Sequence, residues 1–277
     1  MKLFQHILLL AGFSIAPLGL FAAGPSTPQT VIPAGTFTTP YVISQPGSYV
    51  LGGNRLVSDA TKNIIQITAP DVTLDLGGFS LSHPGGSNNT GSGIYIPTPE
   101  NVEIRNGSIV NAAKYGIYAL SGKGLRVIDM RVMSARSIGI VYVTASSLVD
   151  RCEIADSEMA GILGDGAGSL VTDCVVSDCG TGIKLSSSRV VRSVVRGGGV
   201  GMSLGSSTAV DCAVTGTLSV GVFATPNATL RNVELMNNAV GVFAVNTSVV
   251  IFGSRITNNT TKNVEGTFTN GGGNVIQ

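Results

Sequence analysis

The sequence predicts an all-β chain wound as a single-stranded, right-handed parallel β-helix of about nine to eleven coils. Three observations predict it. A Gly followed by an aliphatic residue recurs at steps of 19 to 23 residues through most of the chain. Apolar β-branched residues fill the intervals between Gly- and Asn-bearing turns, with 37 Gly and no Trp in 277 residues; that is the make-up of short strands joined by tight turns. No long amphipathic helical pattern appears after residue 25.

The first element is a leader. Lys2 supplies a thin positive start, an apolar stretch opens at Ile7 and runs to Phe21, and Ala22, Ala23 and Gly24 offer small residues for cleavage. Residues 1–23 therefore read as a signal peptide cleaved after Ala23, which implies a secreted, periplasmic or cell-surface protein. Pro17 and Gly19 interrupt the run. No other apolar stretch nears the roughly 20 residues that cross a bilayer, so no transmembrane segment is expected after cleavage. Residues 24–277 are expected to form one β-helix domain, with an opening cap over 24–60 and a closing cap over 258–277.

The coils follow. Their anchors are Gly93, Gly116, Gly139, Gly161, Gly182, Gly201, Gly221 and Gly241, each opening a short strand such as Gly116-Ile117-Tyr118-Ala119. Between anchors runs a second repeat, seen in Val102–Ile109, Leu148–Ile154, Leu170–Val176, Thr229–Leu235 and Val250–Ile256. Strands this short bury no face alone. Stacked coil on coil at about 4.8 Å, they share one continuous core. A leucine-rich signature is absent, and a propeller blade needs about forty residues.

Alternation within the Gly-anchored strand sorts its residues. Ile94, Ile117, Ile140, Ile162, Ile183, Met202, Val222 and Val242 are expected to point inward. Tyr95, Tyr118, Val141, Leu163, Lys184, Ser203, Phe223 and Phe243 are expected to point outward. The outward column holds four of the chain's 15 aromatic residues (6 Tyr and 9 Phe), an unusual face for solvent. Ring faces stack on sugars, so Tyr95, Tyr118, Lys184, Phe223 and Phe243 are the candidate ligand-binding residues. An oligomer contact or cover by a loop would also use such a strip. A second expected column carries Cys152, Cys174 and Cys212, with Met130, Val194 and Val233 in equivalent places, and reads as packing; export also admits a disulfide between Cys152 and Cys174. Cys179, in a turn, is the best candidate for a reactive thiol. Asn106, Asp129, Asp173, Asp211 and Asn232 form an expected turn column.

These repeats resemble the bacterial right-handed parallel β-helix repeat family, related in fold to pectate lyases and alginate epimerases. The resemblance covers roughly residues 40–277 and includes the opening segments Ile43–Leu51 and Ile67–Phe79. It implies the fold more than the activity, because this fold hosts many. In β-helix enzymes of this kind the polysaccharide lies along the Gly-anchored sheet. Their catalytic signatures are missing: no Asp precedes Pro, and Asn-Thr-Asp, Asp-Asp and Arg-x-x-Pro-x-x-Arg do not occur.

Charge narrows the classes. Lys plus Arg number 17 and Asp plus Glu 16, for a net charge of +1; nucleic acid, which needs a basic face, is not an expected partner. Glycoside hydrolysis needs paired carboxylates, and the outward column offers only Lys184, with Asp165 beyond the preceding strand. With two His in the chain, a histidine metal site is not expected. No cofactor is expected. The sequence also leaves open a calcium ion between Asp156, Glu158 and Asp178. Two readings remain open: an exported, non-catalytic β-helix binding an extended polysaccharide or a cell-surface partner along the Gly-anchored sheet, or a diverged polysaccharide lyase or hydrolase with unrecognised catalytic residues.

Overall fold

The computed structural model describes residues 28–84 and 90–277; the expected leader at 1–23 lies outside them. Among the described residues there are 33 strands and no helix, and every strand pairing in the ladder is parallel. One face of the solenoid is an eleven-stranded sheet, from Tyr41–Ile43 to Lys262–Gly266. It contains all the Gly-anchored strands. The other two faces join into one 22-stranded sheet, because Val102–Val110 and Arg126–Met133 run unbroken through both. Residues 29–57 already make coil strands, and 262–276 form the last coil.

The recurring Gly has a steric cause. A Cβ on Gly93 would lie 2.6 Å from the carbonyl oxygen of Gly116, and one on Gly161 would lie 2.8 Å from that of Gly182. At each anchor the next coil's backbone occupies the place a side chain needs. The residue after each anchor then points inward: Ile94, Ile117, Ile140, Ile162, Ile183, Met202, Val222 and Val242 are all fully buried and stack in register. Each such side chain contributes roughly 1.5–3 kcal/mol of hydrophobic stabilisation.

The corners explain the polar columns. Asn106, Asp129, Asp173, Asp211 and Asn232 all take left-handed φ near +50° to +57°, a region Asn and Asp tolerate better than most residues. Their column also holds Arg151 and Arg192, at φ 49° and 44°, which composition gives no reason to expect.

One place in the cysteine column needs correcting. Met130, Cys152, Cys174, Cys212 and Val233 do stack, but Ser193, not Val194, fills the place between Cys174 and Cys212. The Ser193 hydroxyl accepts the Cys174 amide at 3.2 Å, so a polar residue is accommodated inside. No helix long and apolar enough to cross a membrane occurs among the described residues.

Candidate functional site

The outward column of the Gly-anchored sheet is in register from Val42 to Glu265, through Gln66, Tyr95, Tyr118, Val141, Leu163, Lys184, Ser203, Phe223 and Phe243. It does not behave as one uniform strip. At its first third, Tyr95 and Tyr118 lie with ring centroids 5.6 Å apart, and Tyr115 joins them at 4.6 Å from Tyr118. These rings are tilted to one another, by 38° and 47°. Tyr115, Tyr118 and Leu163 pack on a small external cluster of Ile138, Val141 and Ala160.

Tyr115 is the residue that alternation alone misses. Gly116 and Ile117 are both buried, so the in–out rhythm slips by one at the anchor. The residue before the Gly therefore shares the outer face with the residue two after it. The crowding at the Gly carbonyl is the signal that could have found it.

The tyrosines border a depression of about 250 Å3, completed by Thr61, Asn63, Thr90, Ser92 and Lys114. The Lys114 ammonium stands 4.8 Å from the Tyr115 ring centroid, within reach of a cation–π attraction. Among the described residues no carboxylate lines the depression. Burial, then the neighbouring Tyr115 and Tyr95, push the Tyr118 phenol up from its ordinary value. It therefore stays a protonated donor through neutral pH. An aromatic floor, hydroxyl and amide rims and one cation suit a polar ring that carries an apolar face.

At the other end Phe223 and Phe243 stack on each other, 5.3 Å apart and 9° from parallel. Each gives one ring face to the other, which leaves less open ring surface than the column alone suggests. Between the two aromatic groups, Lys184 is exposed and shares a depression of about 230 Å3 with Asp165, Leu163, Gly164 and Ser186. No ion pair joins Lys184 to Asp165 among the described residues.

The remaining candidates sit elsewhere. All four cysteines are free and buried. Cys179 is the correction: its side chain turns into the corner, 3% exposed, and burial pushes its thiol up. Both effects oppose reactivity. Cys212 is pushed up to about 11 by burial, and a hydrogen bond to Cys174 together with burial pushes Cys152 up. Asp156 and Asp178 are in register on adjacent coils, yet among the described residues no three His, Cys, Asp or Glu gather as a metal site would require.

The family model described as "Right handed beta helix region" matches residues 85–190 and 123–276. No curated protein sequence matches the chain. Among solved structures, the Azotobacter vinelandii mannuronan C-5 epimerase AlgE4 A-module is similar over 90% of this chain and 88% of its own, with a TM-score of 0.60 and 13% identity. The Agl-KA catalytic domain gives a TM-score of 0.56 and 11% identity, over 88% of this chain and 62% of its own. The catalytic domain of a GH87 alpha-1,3-glucanase, in complex with tetrasaccharides, gives 0.55 and 11%, over 89% and 64%. The chain thus spans less than two thirds of these last two domains. At such identities the likeness is one of fold.

Proposed function

The chain belongs to the right-handed β-helix family, and on that premise we propose that it is an exported protein that binds an extended polysaccharide along its Gly-anchored sheet without cleaving it. The observation that carries the reading is the Tyr95–Tyr115–Tyr118 cluster, with Lys114 on its rim and no carboxylate among the described residues of its lining. An acidic sugar fits that chemistry: the rings offer stacking faces, and Lys114 offers charge. The epimerase and the glucanase named above support a polysaccharide as the ligand class. Export rests on the leader pattern of residues 1–23. The reading requires no cofactor.

Retention on an immobilised uronate-containing polysaccharide tests it. The wild type is expected to be retained. Tyr115→Ala with Tyr118→Ala is expected to lose retention, because each ring removed takes away a stacking face. Phe223→Ala is expected to matter less, because that ring already stacks on Phe243. A wild type that flows through, or a double variant that binds as tightly, ends the idea.

One observation favours a second reading. Lys184 and Asp165 line a common depression on the same sheet, so a base and an acid are at hand for a lyase. Release of unsaturated uronate by the wild type, abolished in Lys184→Ala, would establish that reading over binding alone.

A further inference from the structure

His83 ties together the two segments that wall the tyrosine depression. It follows the strand Ser80–Ser82 and is 2% exposed. Its Nδ1 accepts the Ala113 amide N–H at 3.1 Å. Its Nε2 lies 2.9 Å from the Lys62 carbonyl oxygen. An acceptor at Nδ1 and a carbonyl facing Nε2 fix one protonation state: the neutral ring with its proton on Nε2. Both partners lead directly into the depression. Lys62 stands between Thr61 and Asn63, and Ala113 precedes Lys114 and Tyr115.

We infer that His83 is a proton-operated latch beneath the tyrosine cluster: neutral, it holds the Thr61–Asn63 and Ala113–Tyr115 walls together, and protonated, it releases them. The inference rests on the polysaccharide reading only for what the latch would regulate, namely release of ligand on acidification. A proton on Nδ1 would face the Ala113 N–H donor to donor. Ala113 is 3% exposed, so its amide has no solvent to turn to, and a buried donor without a partner is costly.

The surrounding charges set the direction. Burial lowers the His83 imidazole from its ordinary value, and the hydrogen bond to the Lys62 carbonyl and then the Asp59 carboxylate oppose this only in part. That carboxylate is itself held by the Thr61 hydroxyl at 2.6 Å and the Thr61 amide at 2.9 Å. A base depressed in the folded state contributes stability that is full above its ordinary value of about 6.5. That contribution is lost as pH falls through the folded value. The latch is therefore shut at neutral pH and opens as pH falls below that ordinary value.

Hydrogen exchange on the ligand-free chain tests the latch without assuming any ligand. Protection is compared at about pH 7.5 and about pH 5, corrected for intrinsic exchange. Segments 60–64 and 111–118 are expected to lose protection, up to roughly tenfold for each pH unit between about 6.5 and the folded value and levelling off below it, while 220–244 holds. In His83→Asn the amide oxygen still accepts from Ala113 but does not titrate, so protection is expected to be flat. A wild type without the loss, or a variant with the same loss, overturns the latch. Should the variant fail to fold, NMR on the wild type decides. His83 is the one histidine besides His6, so its ring titration is readily assigned, and an Ala113 amide that does not shift at that midpoint overturns the proposal. A uronate-polymer column at both pH values separates the two ideas. No retention at neutral pH ends the polysaccharide reading and leaves the exchange result standing. Equal retention at both pH values overturns the regulatory role.

Discussion

At the scale of single residues, two positions carry opposite lessons about space. Tyr142 points into the solenoid, fully buried, opposite Gly164 in the next coil. Its hydroxyl has no hydrogen-bond partner among the described residues, and burial pushes its pKa well above the ordinary phenol range. An unpartnered buried hydroxyl costs about 1–3 kcal/mol. Tyr142→Phe keeps the ring and removes that cost, so urea unfolding is expected to give equal or higher stability; a clear loss would mean the hydroxyl is bonded. Gly182 is the reverse case. A Cβ there would overlap Val195 and lie 2.6 Å from the Gly201 carbonyl oxygen. Gly182→Ala is expected to cost about 1–3 kcal/mol as overpacking, read from the shift in urea midpoint. No loss would remove the steric account of the anchor.

At the scale of the element, the corner following the first of the two second-repeat strands is a ladder of alternating charge. Arg151 reaches back to Asp129 at 2.8 and 3.0 Å, Arg192 to Asp173 at 2.8 and 2.6 Å, and Asn232 to Asp211 at 3.1 Å. The ladder is exposed and adds little at neutral pH. What it does add is present at neutral pH and lost in acid. Arg192 and the Thr172 hydroxyl pull Asp173 down to about 2, and Arg151 lowers Asp129. A depressed carboxylate contributes stability present above its ordinary value of about 3.9 and lost as pH falls through the folded value. Thermal melts of Asp173→Asn are thus expected to flatten the decline between about pH 4 and about pH 2; an unchanged acid slope would remove the ladder from that role. How legible each column was follows from its physics. The inward Ile and Val column could be read, because alternation and burial agree there. Tyr95 and Tyr118 could be read for the same reason. Tyr115 could not, because the slip at Gly116 depends on the neighbouring coil's carbonyl. Arg151 and Arg192 could not, because left-handed Arg is rare and only stacking between Asp residues accounts for it. The register of Phe223 with Phe243 was legible, but the mutual stacking of their rings was not.

At the scale of the whole molecule, each strand pairs only with its equivalents in the coils before and after it. The change from 23-residue to 19-residue steps is taken up at the corners, since the inward column stays in register throughout. Stability should therefore be a sum of coil and nearest-neighbour contributions. The sum is uneven. In the last coil, Thr269–Gly272 and Val275–Ile276 are exposed along their length, whereas Ile140, Ile162 and Ile183 are fully buried in the middle. A coil whose strands are exposed along their length has little buried contact to hold it and can open alone; a central coil must break two buried interfaces. Hydrogen exchange is accordingly expected to be fastest over 262–277 and slowest over 138–204, with intermediate rates between. Gly182→Ala supplies the sharper form of the same test. Because its strain is local, protection should fall most in the coils of Ile162, Ile183 and Met202, and least near Ile94 and Val242. A uniform fall along the whole chain would mean that the solenoid opens as one unit, and the nearest-neighbour account would have to be abandoned.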